Sequence, residues 1–135
     1  MYSTKLSVSI HILSVIALME VEPITSDYIA SSINTNPALV RRLMSRLKKA
    51  KLITTSTKLG VTGLARKSED ISLLDVFLAV EDQRDLFSIH GNTNLNCPVG
   101  AKIEGTLKNL YDNIQTATEE KLSAITLADI TKEFI

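Results

Sequence analysis

The chain has 135 residues, 44% of them hydrophobic, and its 15 basic and 15 acidic residues cancel to a net charge of zero. That length suits one domain with an appended element, and the scarcity of glycine (5), proline (3) and aromatic residues (4%) favours a mainly α fold over an extensive sheet. One cysteine excludes an internal disulfide, and no stretch reaches the ~18–20 uninterrupted apolar residues of a membrane span, so a cytoplasmic protein without a membrane partner is expected.

Neutrality conceals a separation of charge. Residues 28–68 hold Arg41, Arg42, Arg46, Lys48, Lys49, Lys51, Lys58, Arg66 and Lys67 and no acid, a local charge of +9. Residues 1–27 carry −2 and residues 69–135 carry −7. Such a block repels itself unless a polyanion or the acidic remainder of the chain neutralises it; this asymmetry points to nucleic acid or a membrane surface, the alternative being a solvated helix face, and the absence of acids over 41 residues favours nucleic acid.

Residues 3–20 read as a helix apolar on two sides, so both sides should be covered. Its run "LSVSIHILSVIALM" is broken by Ser7, Ser9, His11 and Ser14, and no small-residue cleavage site follows, which argues against a secretion signal. Pro23 is expected to end it. "TSDYIASSI" reads as a short helix capped by Thr25 or Ser26, with Tyr28, Ile29 and Ile33 facing inward, and "NTN" as a turn.

Asn36 is then an N-cap and Pro37 occupies the first helical position, where its missing N–H costs nothing. The helix from Pro37 to about Ala50 places Val40, Leu43, Met44 and Leu47 on one face. Arg41, Ser45 and Lys48 line the other side, flanked by Arg42, Arg46 and Lys49. "LITTS" and "VTGLA", joined by "TKLG", suggest a small hairpin. Three helices, the last basic, followed by a hairpin is the order of a winged helix-turn-helix, whose third helix enters the major groove of double-stranded DNA.

Downstream, "ISLLDVFLAVE" opens a helix with Ser72 as N-cap and Asp75 three residues on, a capping-box pattern. "NTNLNCPVG", residues 92–100, is a turn-rich loop. A long helix runs from Val99 to about Ser123, with Ile103, Leu107, Leu110, Ile114 and Ala117 at 4-3-4-3 spacing. That 3.5-residue period makes a seam for a second helix, either from another copy of the chain or from elsewhere in the same one. "TLADITKEFI" closes the chain with a short helix capped by Thr126 and Asp129. The expected organisation is residues 1–82 as a winged helix-turn-helix, 83–98 as a loop, and 99–135 as a dimerisation helix plus a C-terminal helix.

Taken together, "NPALVRRLMSRLKKAKLI", "GLAR" at 63–66, "EDISLLDVFLAVE" at 69–81, "CPVG" at 97–100 and "TLADI" at 126–130 resemble the Rrf2 family of bacterial transcription regulators, the IscR- and CymR-like proteins. Within it the chain looks most like the cluster-less YwnA branch. The resemblance spans nearly the whole chain and implies a homodimeric DNA-binding regulator, usually a repressor. Carried over by position, it implies that Asn36, Pro37, Ala38, Arg41 and Arg42 read the groove, with Thr25 or Ser26 near phosphate; Arg46 and Lys49 suit phosphate better than bases. Ser45 and Lys58 complete the candidate DNA-binding set. Two departures stand out. Family wings often carry an arginine where this chain has Ser56, leaving a minor-groove contact to Lys58 or to nothing. Many members hold an iron–sulfur cluster on three close cysteines, whereas Cys97 stands alone, so no cofactor is expected.

Cys97, followed by Pro98 and a helix start, is a candidate redox sensor, the alternative being a packed loop cysteine. His11 reads as a satisfied core histidine, and His90 with Cys97 is too small a set for a metal site. No phosphate loop, nucleophile elbow or H-E-x-x-H motif is present, so no enzyme is expected. A small-molecule effector between the winged helix and the dimer helix is compatible with this organisation, although no residue announces its ligand. A winged-helix module that binds an acidic protein partner through the same basic face is the alternative function.

Overall fold

The computed structural model describes residues 3–19, 24–56 and 60–135. Its elements in order are α1 (Lys5–Leu18), α2 (Ser26–Ile33), α3 (Pro37–Lys49), β1 (Ile53–Ser56), β2 (Gly60–Leu64), a 3-10 turn (Ser68–Asp70), α4 (Leu73–Val80), α5 (Ile103–Ala124), α6 (Leu127–Thr131) and a closing 3-10 turn (Lys132–Phe134). The fold is thus mainly α with a two-stranded wing. Pro23 and Lys58, assigned above to a helix stop and to the wing tip, lie outside the described residues.

The chain divides into two compact units, Met1–Asp82 with Leu122–Ile135, and Gln83–Lys121. The first has a continuous core in which Ile12, Leu13, Ile29, Val40, Leu43, Leu47, Leu52, Ile71, Val76, Val80 and Leu127 are almost wholly buried. α2 starts where Thr25 Oγ1 accepts a hydrogen bond from the Tyr28 N–H at 3.0 Å. It buries Ile29 and Ala30, but Tyr28 is exposed, contrary to its expected inward orientation. At about 100° per residue, Tyr28 falls one step off the face carried by Ile29 and Ile33, and only that face reaches the core.

α3 begins as the sequence predicts. Asn36 Oδ1 accepts from the Ala38 N–H at 2.8 Å, and Pro37 fills the first helical position. Val40, Leu43 and Leu47 are buried, with Met44 half-buried beside them. The helix ends in a Schellman motif: Leu52 N–H donates to Leu47 O at 3.0 Å, and Lys51 N–H donates to Lys48 O at 2.9 Å. Lys51 holds the left-handed position at φ 62°, usually a glycine site. The motif turns the chain directly into β1, and Leu47 and Leu52 both enter the core.

β1 and β2 pair antiparallel, Ile53 with Leu64 and Thr54 with Gly63, then Thr55 with Val61 and Ser56 with Gly60. The slip leaves Thr62 as an extra residue, a β-bulge that bends the wing. Thr54 and Thr62 hydroxyls meet at 2.7 Å across it. An Ile24–Val61 bridge attaches the segment before α2 to the wing.

α4 and α6 start with full capping boxes. Ser72 and Asp75 exchange hydrogen bonds at 3.0 Å each; Thr126 and Asp129 do so at 2.9 and 3.1 Å. The two caps are joined: Leu73 N–H donates to Ile125 O at 2.9 Å, and Leu127 N–H to Ile71 O at 2.8 Å. The C-terminal helix therefore packs with the winged-helix unit, whereas the sequence had grouped it with the long helix. Leu127, with no exposed surface, anchors it there.

In the second unit α5 starts at Ile103, four residues after the expected Val99, because residues 98–102 form turns. Arg84 binds Glu119 through two bonds of 2.9 and 2.5 Å. Gln115 accepts from the Leu86 N–H at 2.9 Å and donates to the Arg84 carbonyl at 2.8 Å. Phe87 stacks on Tyr111 with ring centres 5.2 Å apart. These ties hold an irregular segment along one side of α5.

Candidate nucleic-acid interface

With 3.6 residues per turn, positions 41, 45 and 48 share one narrow strip of α3, with 38, 42 and 49 beside it. The strip opposite carries the buried Val40, Leu43 and Leu47, so packing fixes the direction in which the cations project. Arg41, Ser45 and Lys48 line a groove of about 590 Å³, together with Thr25, Ser26 and Thr55 from the start of α2 and from β1. Arg41 reaches toward Ser26 Oγ at 3.5 Å, at the limit of a hydrogen bond.

Two cations, four hydroxyls and the N-terminus of α2 thus converge on one concave surface. Such an arrangement attracts an oxyanion, since the helix terminus adds about half a positive charge and the hydroxyls can donate. Asn36, Ala38, Arg42 and Lys49 are exposed along the same side, and Pro37 is half-buried. Lys48 was not among the candidate contacts from sequence, although its spacing of seven from Arg41 already placed it on this strip. Thr55 carries no sequence signal, because the wing's bend brings it in.

Arg46 does not join this set. Its guanidinium donates to the Val80 carbonyl at 3.0 Å and to the Asp82 carboxylate at 2.6 Å. Asp82 also receives the Lys5 ammonium at 2.6 Å. Hydrogen bonds from Lys5 and then Arg46 hold the Asp82 carboxyl below its ordinary range. An acid 36 positions away thus occupies a cation expected to meet phosphate.

On α5, no residue is buried. Ile103 and Leu107 are half-buried, and Leu110, Ile114 and Ala117 are exposed, so the predicted seam is open along its length. The ties from Arg84 to Phe87 occupy the neighbouring Tyr111, Gln115 and Glu119 positions instead.

Cys97 is exposed in its loop. Backbone hydrogen bonding by Gly100 and then Val99 lowers the thiol pKa from the ordinary 9.0. Thr93 Oγ1 closes the loop by donating to the Gly100 carbonyl at 2.6 Å. His11 is half-buried and shares a hydrogen bond of 2.9 Å with Ser32 Oγ.

Residues 2–133 match the Rrf2 family, described as iron-dependent transcriptional regulators. The donor set does not fit an iron–sulfur cluster: the chain has one cysteine, and no group of three or more His, Cys, Asp or Glu side chains is arranged to hold a metal ion among the described residues. Among the described residues, likewise, no helix is long and apolar enough to cross a membrane. The chain is 44% identical over 132 residues to a Bacillus subtilis protein named as an HTH-type transcriptional regulator, YwnA, with 96% of each chain covered. A crystal structure described as that of a DNA-binding protein superposes with a TM-score of 0.76 at 38% identity, covering 93% of this chain and 97% of that one. CymR, the global cysteine regulator of B. subtilis, shares the fold at a TM-score of 0.72 and 20% identity, over 98% and 96% of the two chains. With a basic helix set beside a wing and a family match over almost its whole length, the chain belongs to the Rrf2 family of DNA-binding transcription regulators.

Proposed function

We propose that the protein is a sequence-specific repressor that binds a two-fold-related operator as a homodimer and requires no cofactor or catalysis. The observation that carries this reading is the acid-free face of α3, whose cations project beside the start of α2 and the wing while the opposite face is locked in the core. Helix-turn-helix dimers place their recognition helices in successive major grooves, about 34–36 Å apart. Arg41 is assigned to base edges, because a guanidinium can bind guanine bidentately. Lys49 is assigned to phosphate. The open seam on α5 supplies the dimer contact.

Fluorescence anisotropy with the operator and with random duplex tests these roles. Arg41→Ala weakens operator binding far more than random binding, and Lys49→Ala weakens both alike. Equal losses on the two duplexes for Arg41→Ala would contradict its base-reading role. An acidic protein partner, the alternative occupant of this face, would leave the chain with no preference among duplexes.

A further inference from the structure

Arg46 and Asp82 present a feature that the DNA-binding reading alone does not require. Arg42, Arg46 and Lys49 fall at i, i+4 and i+7, a row of like charges along one edge of α3. Only the middle member, Arg46, is withdrawn toward the protein, by Val80 O and by Asp82. Asp82 follows α4 by two positions and is the last residue of its unit before the chain enters Gln83–Lys121. Lys5, at the start of α1, binds the same carboxylate from another direction. Three separate parts of the unit thus meet at one exposed anion.

We infer that Asp82 is an internal stand-in for a DNA phosphate, a positioning residue that keeps Arg46 out of the DNA contact set. A carboxylate bonded to a guanidinium presents the same charge-assisted geometry as a phosphate oxygen does. While Asp82 holds Arg46, each subunit engages the DNA backbone through the remaining cations. When Asp82 lets go, one more cation per subunit becomes available on the edge of α3. Affinity for any duplex then rises and discrimination between sequences falls, because a phosphate contact carries no sequence information. The inference rests on α3 being the DNA-reading element.

Salt dependence provides the test, since the slope of log affinity against log salt counts neutralised phosphates at about 0.9 each. Full-length wild type, Asp82→Ala, Asp82→Asn, Arg46→Ala and Asp82→Ala/Arg46→Ala are titrated with operator and with random duplex, and thermal melts establish that each is folded. Arg46→Ala is expected to keep the wild-type slope. Asp82→Ala is expected to steepen it by about 0.9 per subunit, an added loss of roughly tenfold for a dimer between 50 and 200 mM salt. The double variant returns to the wild-type slope, which shows that the gain runs through Arg46 and not Lys5. Asp82→Asn, which keeps shape and a hydrogen-bond acceptor, lies between; it carries the test should Asp82→Ala not fold. A shallower slope for Arg46→Ala, or an unchanged slope for folded Asp82 variants, overturns the inference while leaving DNA binding intact. Failure of the wild type to bind any duplex at 50 mM salt would instead overturn the reading on which it rests.

Discussion

On the proposed homodimer, removing the apolar seam of α5 should separate the two copies without unfolding either. Leu110 and Ile114 are 52% and 44% exposed, so about half of each side chain is left for a partner to cover. Full burial of such a side chain stabilises by about 1.5–3 kcal/mol, so the uncovered half is worth roughly 0.7–1.5 kcal/mol. A symmetric contact uses both residues twice, which gives about 3–6 kcal/mol for the dimer. Leu110→Ala/Ile114→Ala should therefore raise the dimer dissociation constant by about a hundredfold to ten-thousandfold. No buried α5 residue is lost, so the thermal melt of the separated chain should still be cooperative. Sedimentation equilibrium across a range of concentrations measures the constant. Thr116→Ala, exposed on the far side of α5 from the seam, serves as the control and should leave it nearly unchanged. A double variant that dimerises as tightly as wild type would refute the assignment of the seam.

Three further outcomes follow from local geometry. Lys51→Gly should raise stability in a urea melt by roughly 0.5–1 kcal/mol, because glycine removes a left-handed cost of about 1–2 kcal/mol and returns part of it as chain entropy; a loss would show that the Lys51 side chain matters more than its backbone. Glu119 is lowered from 4.5 to about 2, first by the Arg84 hydrogen bond and then by Gln115. A depressed carboxylate contributes stability that is complete above its unfolded value of 4.5 and fades as pH falls toward 2, so exchange protection of the Leu86 amide should decline across that window and lose its pH dependence in Glu119→Gln. Cys97 should be alkylated by iodoacetamide with a midpoint below pH 9.0. In Gly100→Ala, whose new Cβ would overlap the Asn94 carbonyl oxygen, that midpoint should move back up; an unmoved profile would rule out the loop amides as its cause.

The sequence was most informative where a local rule acts within a few residues. Asn36–Pro37 set the start of α3, and Ser72/Asp75 and Thr126/Asp129 set two more helix starts, because each cap is satisfied by an amide two or three positions on. The cationic strip was equally legible, since Val40, Leu43 and Leu47 fix which side of α3 faces out. Contacts distant in sequence were not. Nothing near Arg46 announces Asp82, and nothing in "TLADI" states that Ile71 and Ile125 carbonyls will accept from the opposite strand of backbone. Tyr28 misled because an aromatic in an eight-residue helix suggests a core position, yet α2 has only one covered face. The start of α5 was misplaced because residues 98–102 complete loop turns before the helix settles.

Whether the exposed strip of α3 reads duplex DNA is decided by selection from a library of random duplexes at about 150 mM salt, where non-specific attraction is suppressed, with wild type and Arg41→Ala in parallel. Wild type should enrich one two-fold-symmetric sequence, and Arg41→Ala should lose the preference at one position in each half-site while still binding. Enrichment of the same sequence, at the same strength, by both proteins would contradict the account.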